Sequence, residues 1–448
     1  VSTQYGLVTG DSFSSMVTFK LPLSMLLLFL LLDTIFLCSS ADVLYLPVIK
    51  DASTLQHITE VGQRTPLVPI KLLVHLGGRS IWVDCDKGYK SSTYKSAICN
   101  SVQCSYSKSH ACGDCLFKPQ LQPGCNNNTC YIWGENPLIG SFHDRAEIAE
   151  DVLAIGSTPG VLVSLPRFIF TCLLDRDMMK LLANGVTGIA GFGQESLISI
   201  PNQLALDPRF TRKFGICLSS STKSRGVIFI GSGPYNVYNP KMIDISKNLI
   251  YTKLIANKKG GFVASEEYFI QVSSIRIAEQ DVPLNKTLLL INKKNGLGGT
   301  RISTATPFTI LHTSIYDAFK TAFINTLPKN VILVEPPMKQ FGVCFSSKNI
   351  KGTNDTGPDV PVIDIVLHKP SAFWRIYGEN SVVQVSKNVM CLAFVGQDQT
   401  WAPSIVIGAH QLEENLVVFD LPGKNIGFSS SLKRQQTSCS KYDSIIQG

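Results

Sequence analysis

Leu73-Val74-His75-Leu76-Gly77-Gly78 and Gly299-Thr300-Arg301-Ile302-Ser303-Thr304-Ala305-Thr306 decide the reading of this 448-residue chain. Each segment reads as a buried strand running into a tight turn of small residues. Each has a distant companion, Gly188-Ile189-Ala190-Gly191 for the first and Ile405-Val406-Ile407-Gly408 for the second, an apolar run tied to a glycine. The two halves therefore repeat a theme rather than a sequence.

Outward from these turns, short apolar runs at residues 47–49, 70–75, 81–83, 168–170, 227–230, 268–270, 362–367 and 404–408 are separated by Gly, Pro, Asn and Ser. That pattern predicts a mainly β protein. Helical spacing is local: it predicts a helix over 314–323, with Ile315, Ala318, Phe319 and Ala322 on one face, and a second short one over 175–182. A chain of 448 residues exceeds the roughly 250–300 at which a single core stops growing, so two lobes are expected. The Ser-rich stretch 219–225, just before a new strand, places their boundary, giving lobes 42–222 and 223–448. With 44% hydrophobic, 17% charged and 9% aromatic residues, the composition is globular and excludes a disordered chain.

The first 41 residues are set apart from that fold as upstream residues and a signal peptide. Met16-Val17-Thr18-Phe19-Lys20 supplies a start and a positive end, residues 25–32 are apolar, and Cys38-Ser39-Ser40-Ala41 ends in small residues suited to cleavage. Residues 1–15 precede Met16 and are read as upstream translated sequence. The apolar run is interrupted too soon by Asp33 for a membrane span, so no membrane attachment is expected after cleavage. Beyond the leader stand 12 cysteines (85, 99, 104, 112, 115, 125, 130, 172, 217, 344, 391 and 439), an even number that implies disulfides in a secreted protein. Cys112-Gly113-Asp114-Cys115 has zinc-ligand spacing, but no second Cys-x-x-Cys or paired histidines accompany it, and no metal or other cofactor is expected. Asn127, Asn285 and Asn354 begin N-glycosylation sequons.

Residues 42–448 hold 40 basic and 31 acidic side chains, a net charge of +9. Without a Lys/Arg cluster interleaved with aromatics, nucleic acid is not the expected partner; acidic extracellular polysaccharide is a better use of that charge, and plain solubility is an equal alternative.

Ser80-Ile81-Trp82-Val83 after the first turn, residues 188–193 and 404–409, and the closing Val417-Val418-Phe419-Asp420 and Ile426-Gly427-Phe428 together resemble pepsin-type aspartic proteases, over residues 44–440. Finer marks are Lys50-Asp51-Ala52-Ser53-Thr54-Leu55-Gln56, Trp82-Val83-Asp84-Cys85-Asp86, residues 123–130 and Gly296-Leu297-Gly298-Gly299-Thr300. These resemble the plant branch lacking protease activity: xyloglucan-specific endoglucanase inhibitors, extracellular dermal glycoprotein and basic seven-S globulins. The resemblance implies a mainly β, two-lobed pepsin-like fold with a few short helices. It also implies secretion to the apoplast and cell wall, a role in plant defence, and disulfides Cys85 to Cys172, Cys217 to Cys439 and Cys344 to Cys391. The pairing of Cys99, Cys104, Cys112, Cys115, Cys125 and Cys130 stays open.

Aspartic proteases hold two carboxylates so close that they share one proton, one activating water while the other protonates the carbonyl. Matched to that family, His75 and Ser303 stand where the two aspartates belong, so proteolysis is not expected. Asp84 and Asp86 follow the Trp-Val strand and lie away from the turn. In the implied fold His75 and Ser303 would face each other within hydrogen-bond reach, which raises a hydrolase with altered, serine-based chemistry as an alternative. His312 and His410 sit beside apolar residues with no partner at ligand spacing and read as structural.

The resemblance further implies inhibition of cell-wall-degrading glycoside hydrolases such as endoglucanase, xyloglucanase or xylanase, through second-lobe loops whose cations pair with the hydrolase carboxylates. Characterised inhibitors use arginines there. Here the loop at 398–403 offers Trp401 and Ala402 but no arginine, and the loop at 329–340 offers Lys329 and Lys339, which lack the planar fork that grips a carboxylate. A second reading is an extracellular binding or storage protein of the basic seven-S globulin type.

Overall fold

A computed structural model describes residues 43–442, apart from Lys87, His110 and the segments 117–119, 158–160, 260–262 and 399–402. The leader assignment for residues 1–41 lies outside the described residues. Among the described residues, no helix is long and apolar enough to cross a membrane.

In the first half, β1 (Leu44–Lys50), β2 (His57–Gln63) and β3 (Val68–His75) form an antiparallel meander, with Ile49 opposite Ile58 and Ile58 opposite Leu73. The last four residues of β3 are all buried, so the strand drives His75 into the interior. After the turn comes β4 (Trp82–Asp84); β5 (Thr129–Asn136), β6 (Ser141–Ser157) and β7 (Val161–Leu173) then form a long antiparallel set, with β7 parallel to β4. The short strand β8 (Gly188–Gly191) slots between β3 and β4, parallel to β3 with Gly191 opposite His75, and antiparallel to β4 with Ile189 opposite Trp82. Glycine is required at 191 because a Cβ there would stand 2.3 Å from the Ser80 carbonyl oxygen.

Next come β9 (Lys213–Cys217), β10 (Gly226–Ile230), β11 (Ile250–Ile255), β12 (Tyr268–Ile270), β13 (Thr300–Ile302) and β14 (Thr309–His312). Helix α1 (Thr313–Thr326) leads to β15 (Leu333–Val334), β16 (Cys344–Ser346), β17 (Val382–Ser386), β18 (Val389–Leu392), β19 (Phe394–Gln397) and β20 (Ile405–Ile407). The chain closes with α2 (Ala409–Leu412), β21 (Leu416–Asp420) and β22 (Asn425–Phe428). Here the threaded-strand arrangement recurs: β20 runs parallel to β13, with Ile407 opposite Ile302, and antiparallel to β14, with Ile405 opposite Leu311.

A sheet in the order β1-β10-β9-β21-β22-β11 joins the halves. Its central strands are apolar on both faces, and every residue of β10 is buried. Phe214 stacks on Phe419 at 4.6 Å, and Tyr268 meets Phe419 edge-on at 4.6 Å, so residues from both halves share one core.

Helix α1 forms where its spacing predicted, burying Ile315, Phe319 and Phe323, with the His312 side chain accepting the Ser314 amide at its start. The expected helix over 175–182 is only a 3-10 turn, Arg176–Met179, capped by Asp175; Lys180 leaves the helical region at ψ 141°. Among the described residues six disulfides close the chain: Cys85–Cys172, Cys217–Cys439 and Cys344–Cys391 over long loops, and Cys99–Cys112, Cys104–Cys130 and Cys115–Cys125 in the cysteine-rich segment. Cys112 and Cys115, the zinc-spaced pair, thus enter two different disulfides.

Candidate functional site

His75 ends β3 and is 5% exposed. Its turn closes by backbone bonds: the amides of Gly78 and Phe192 both donate to the His75 carbonyl, at 3.1 and 3.0 Å. The Gly77 amide donates to His75 Nδ1 at 3.2 Å, which places the ring proton on Nε2 and leaves the imidazole neutral. Burial pushes its pKa down; the Glu267 charge opposes this and the Arg301 charge adds to it.

Ser303 follows β13 and is 4% exposed, its amide donating to the Ile407 carbonyl at 2.9 Å. Its hydroxyl accepts from Thr306 Oγ1 at 3.0 Å. The next residue ties the two turns together, because Thr304 Oγ1 donates to the Val74 carbonyl at 2.7 Å and accepts the Leu76 amide at 3.2 Å. No hydrogen bond joins His75 to Ser303 among the described residues, contrary to the expectation that they would pair. Each is already engaged by its own turn.

Charged groups crowd the same region. Arg301, two residues before Ser303, pairs with Glu267 at 3.0 Å. The Glu267 carboxylate lies over the first turn, where a Cβ on Gly77 would stand 2.4 Å from its Cδ. Glu266 accepts the Glu195 amide at 3.0 Å. Glu135 accepts the Arg79 amide at 2.9 Å, while its carbonyl takes the Trp82 indole N–H at 2.8 Å. Burial pushes the Glu135 carboxyl up to about 7, against the Arg79 amide and charge. Arg79, Glu135, Glu266, Glu267 and Arg301 escaped the sequence reading as site residues. Only Arg301 gave a signal, an arginine inside a buried strand that calls for an acidic partner.

Chemically, a proton-sharing dyad needs two carboxylates side by side, and these two turns carry an imidazole, His75, and a hydroxyl, Ser303. A serine nucleophile needs a base within reach of its hydroxyl. The Nδ1 lone pair of His75 is taken by Gly77, and the Ser303 hydroxyl is bonded to Thr306, so the serine-based alternative gains no support from this geometry.

Two family models match the chain, one described as xylanase inhibitor N-terminal over residues 57–232 and one as xylanase inhibitor C-terminal over residues 267–430. The chain belongs to this family. Among its relatives, the Nicotiana benthamiana protein called "Probable aspartic proteinase GIP2" is 45% identical over 413 residues, 89% of this chain and 91% of that protein. Basic 7S globulin of Glycine max is 38% identical over 419 residues, 92% of this chain and 93% of that protein. Of solved structures, edgp matches with a TM-score of 0.84 at 46% identity, covering 89% of this chain and 97% of its own. Conglutin gamma from lupine seeds matches at 0.77 and 38%, covering 89% and 97%. The two-lobed pepsin-like fold expected from the turn motifs is borne out by these matches.

Within this xylanase-inhibitor fold, the second-lobe residues proposed to meet a partner are only partly visible. Lys329 and Lys339 are exposed on the 329–340 loop, whereas Trp401 and Ala402 lie outside the described residues. His312 caps a helix. His410 is bonded to Glu413 at 3.3 Å and to the Val382 carbonyl at 3.1 Å.

Proposed function

We propose that this chain is a secreted, proteolytically inactive member of the family that inhibits cell-wall-degrading glycoside hydrolases in plant defence. Its lobes are residues 42–222 and 223–448, its place is the apoplast or cell wall, and acidic cell-wall polysaccharide is a further partner. The observation that carries this reading is the pair of neutral residues, His75 and Ser303, at the two turn tips of a chain that matches xylanase-inhibitor models in both halves. A fold that keeps its scaffold but holds no carboxylate at either tip does its work elsewhere, and the exposed lysines 329 and 339 together with Trp401 and Ala402 are the partner-binding positions. Lysine can meet the paired carboxylates of a glycosidase as a point charge, though without bidentate geometry. Asn127, Asn285 and Asn354 are all exposed, which suits glycosylation along a secretory route.

The test is to titrate purified residues 42–448 against a xylanase and a xyloglucan-specific endoglucanase and to follow release of reducing sugar. Saturable loss of activity of either enzyme supports the reading. Full activity of both, with no complex on pull-down, moves the assignment to an extracellular binding or storage protein, which the likeness to basic 7S globulin and conglutin gamma favours.

A further inference from the structure

An apolar pocket of about 520 Å³ opens between the 52–55 turn of the first lobe and the second lobe, walled by Leu55, Phe308, Ile310, Met338, Val385 and Val395 among others. None of its lining residues is charged. One wall is Thr306, bonded to Ser303; another is Gln384, whose Nε2 donates to Ser347 Oγ at 3.4 Å. From Ser347 the backbone leads to a cluster of cations. The Ser347 amide donates to the Asn388 carbonyl at 2.9 Å, and Asn349 Nδ2 donates to the Asn330 carbonyl at 3.2 Å. Lys348, Lys387 and Lys329 are each adjacent in sequence to one of these bonded residues, which places their backbones at one end of the β15-β16-β18-β17 sheet. Lys339 lies between the pocket residues Met338 and Gln340. All four lysines are exposed, and none pairs with a carboxylate among the described residues.

We propose that this pocket and its lysine rim form one docking surface, for an acidic protein segment that presents an apolar side chain flanked by carboxylates. The proposal gives a partner chemistry to the surface assigned above to the hydrolase, and in that respect rests on that reading. Charge complementarity selects the occupant: residues 223–448 carry 24 basic and 16 acidic side chains, so +8 of the +9 resides in the half that builds the rim. The uncharged pocket selects the knob. An apolar anchor buried in a pocket and ringed by polar groups that exclude water is the arrangement from which interfaces draw most of their energy. Met338 is 43% exposed at the mouth, an apolar side chain that a seated partner would cover. A polysaccharide of repeating carboxylates would engage the lysines and leave the pocket empty.

The experiment titrates residues 42–448 into a fluorescein-labelled peptide Asp-Glu-Phe-Asp-Glu and reads anisotropy, in parallel with the hydrolase assay. Binding is expected to weaken about tenfold when salt rises from about 50 to about 500 mM. It should weaken about tenfold or more in the Lys348→Glu/Lys387→Glu variant and in Val385→Glu, and likewise when serine replaces the peptide's phenylalanine. The lysines are exposed and Val385 is half-buried, and matching thermal melts identify variants that keep the fold; Met338→Glu serves if Val385→Glu does not. Equal binding of the serine peptide, or wild-type binding by the folded variants, overturns the proposal, the former pointing to a general polyanion site. If the peptide binds as described while neither hydrolase is inhibited, the docking surface stands and the inhibitor reading falls. If both variants inhibit a hydrolase as wild type does, the surface falls and the inhibitor reading stands.

Discussion

The Thr304 hydroxyl reaches from the Ser303 turn to the opposite turn and accepts the Leu76 amide at 3.2 Å, while it donates to the Val74 carbonyl at 2.7 Å. Leu76 occupies the matching place after His75, and its fully buried apolar side chain cannot return the bond. The link between the two turns therefore hangs on one hydroxyl. Thr304→Val keeps the shape but strands a buried amide, and is expected to cost about 1–3 kcal/mol, read as a lower urea midpoint at unchanged slope. A midpoint equal to wild type would mean the link contributes nothing.

Glu135 and His75 give the protein opposing pH dependences. Glu135 titrates near 7 in the folded chain against an ordinary 4.5, so its contribution is fully present below 4.5 and is lost as pH rises through about 7. The His75 value is depressed below 6.5, so its contribution is present above 6.5 and is lost as pH falls toward the folded value. Glu135→Gln removes the first dependence alone. Relative to wild type the variant should gain stability, by roughly 1–3 kcal/mol, as pH is raised from 5 to 8. Melting curves across that range check it; a difference that does not change with pH refutes the Glu135 assignment.

Glu413 fastens the lobes at a second place. One carboxylate oxygen lies 2.8 Å from Lys50 Nζ and 3.4 Å from His57 Nε2, and the other lies 3.3 Å from His410 Nδ1. Burial alone would raise its pKa, but the His410 hydrogen bond, the close His57 ring and the Lys50 charge outweigh burial and hold the carboxyl well below the usual range. Glu413→Gln leaves the largely buried Lys50 without its counter-charge and is expected to destabilise by roughly 3–5 kcal/mol at neutral pH. The depressed pKa places this stabilisation above the ordinary 4.5 and removes it as pH falls through the folded value, so the cost should shrink in strong acid. Chemical unfolding at neutral and acid pH measures both.

The Cys217–Cys439 disulfide spans 222 residues and ties the joining sheet to the 3-10 turn at Cys439–Tyr442. Replacing both cysteines with alanine should cost roughly 2–5 kcal/mol, seen as a lower melting temperature by calorimetry. A change within error would show that the packing around Cys217 and Cys439 suffices.

Much of this was legible in the residues. The strands at 70–75 and 405–407 follow from apolar runs that meet turns of small residues, because a buried strand must end where the chain can turn sharply; their pairing with distant partners came from the resemblance to pepsin-like proteins. The one-face spacing of Ile315 and Phe319 gave the helix. What the chain order could not reveal was the content of the cleft. Glu135, Glu266, Glu267 and Arg79 come from segments up to 188 residues apart, and only the tertiary fold sets the Arg79 amide on Glu135 and the Glu267 carboxylate over the turn after His75. For the same reason the His75 and Ser303 side chains, expected to pair, instead bond within their own turns.

The central claim is that the cleft lacks peptide-bond chemistry, and the most direct measurement incubates residues 42–448 with a denatured protein substrate at acid pH, with and without pepstatin. The account predicts intact substrate in both. Pepstatin-sensitive cleavage would contradict it.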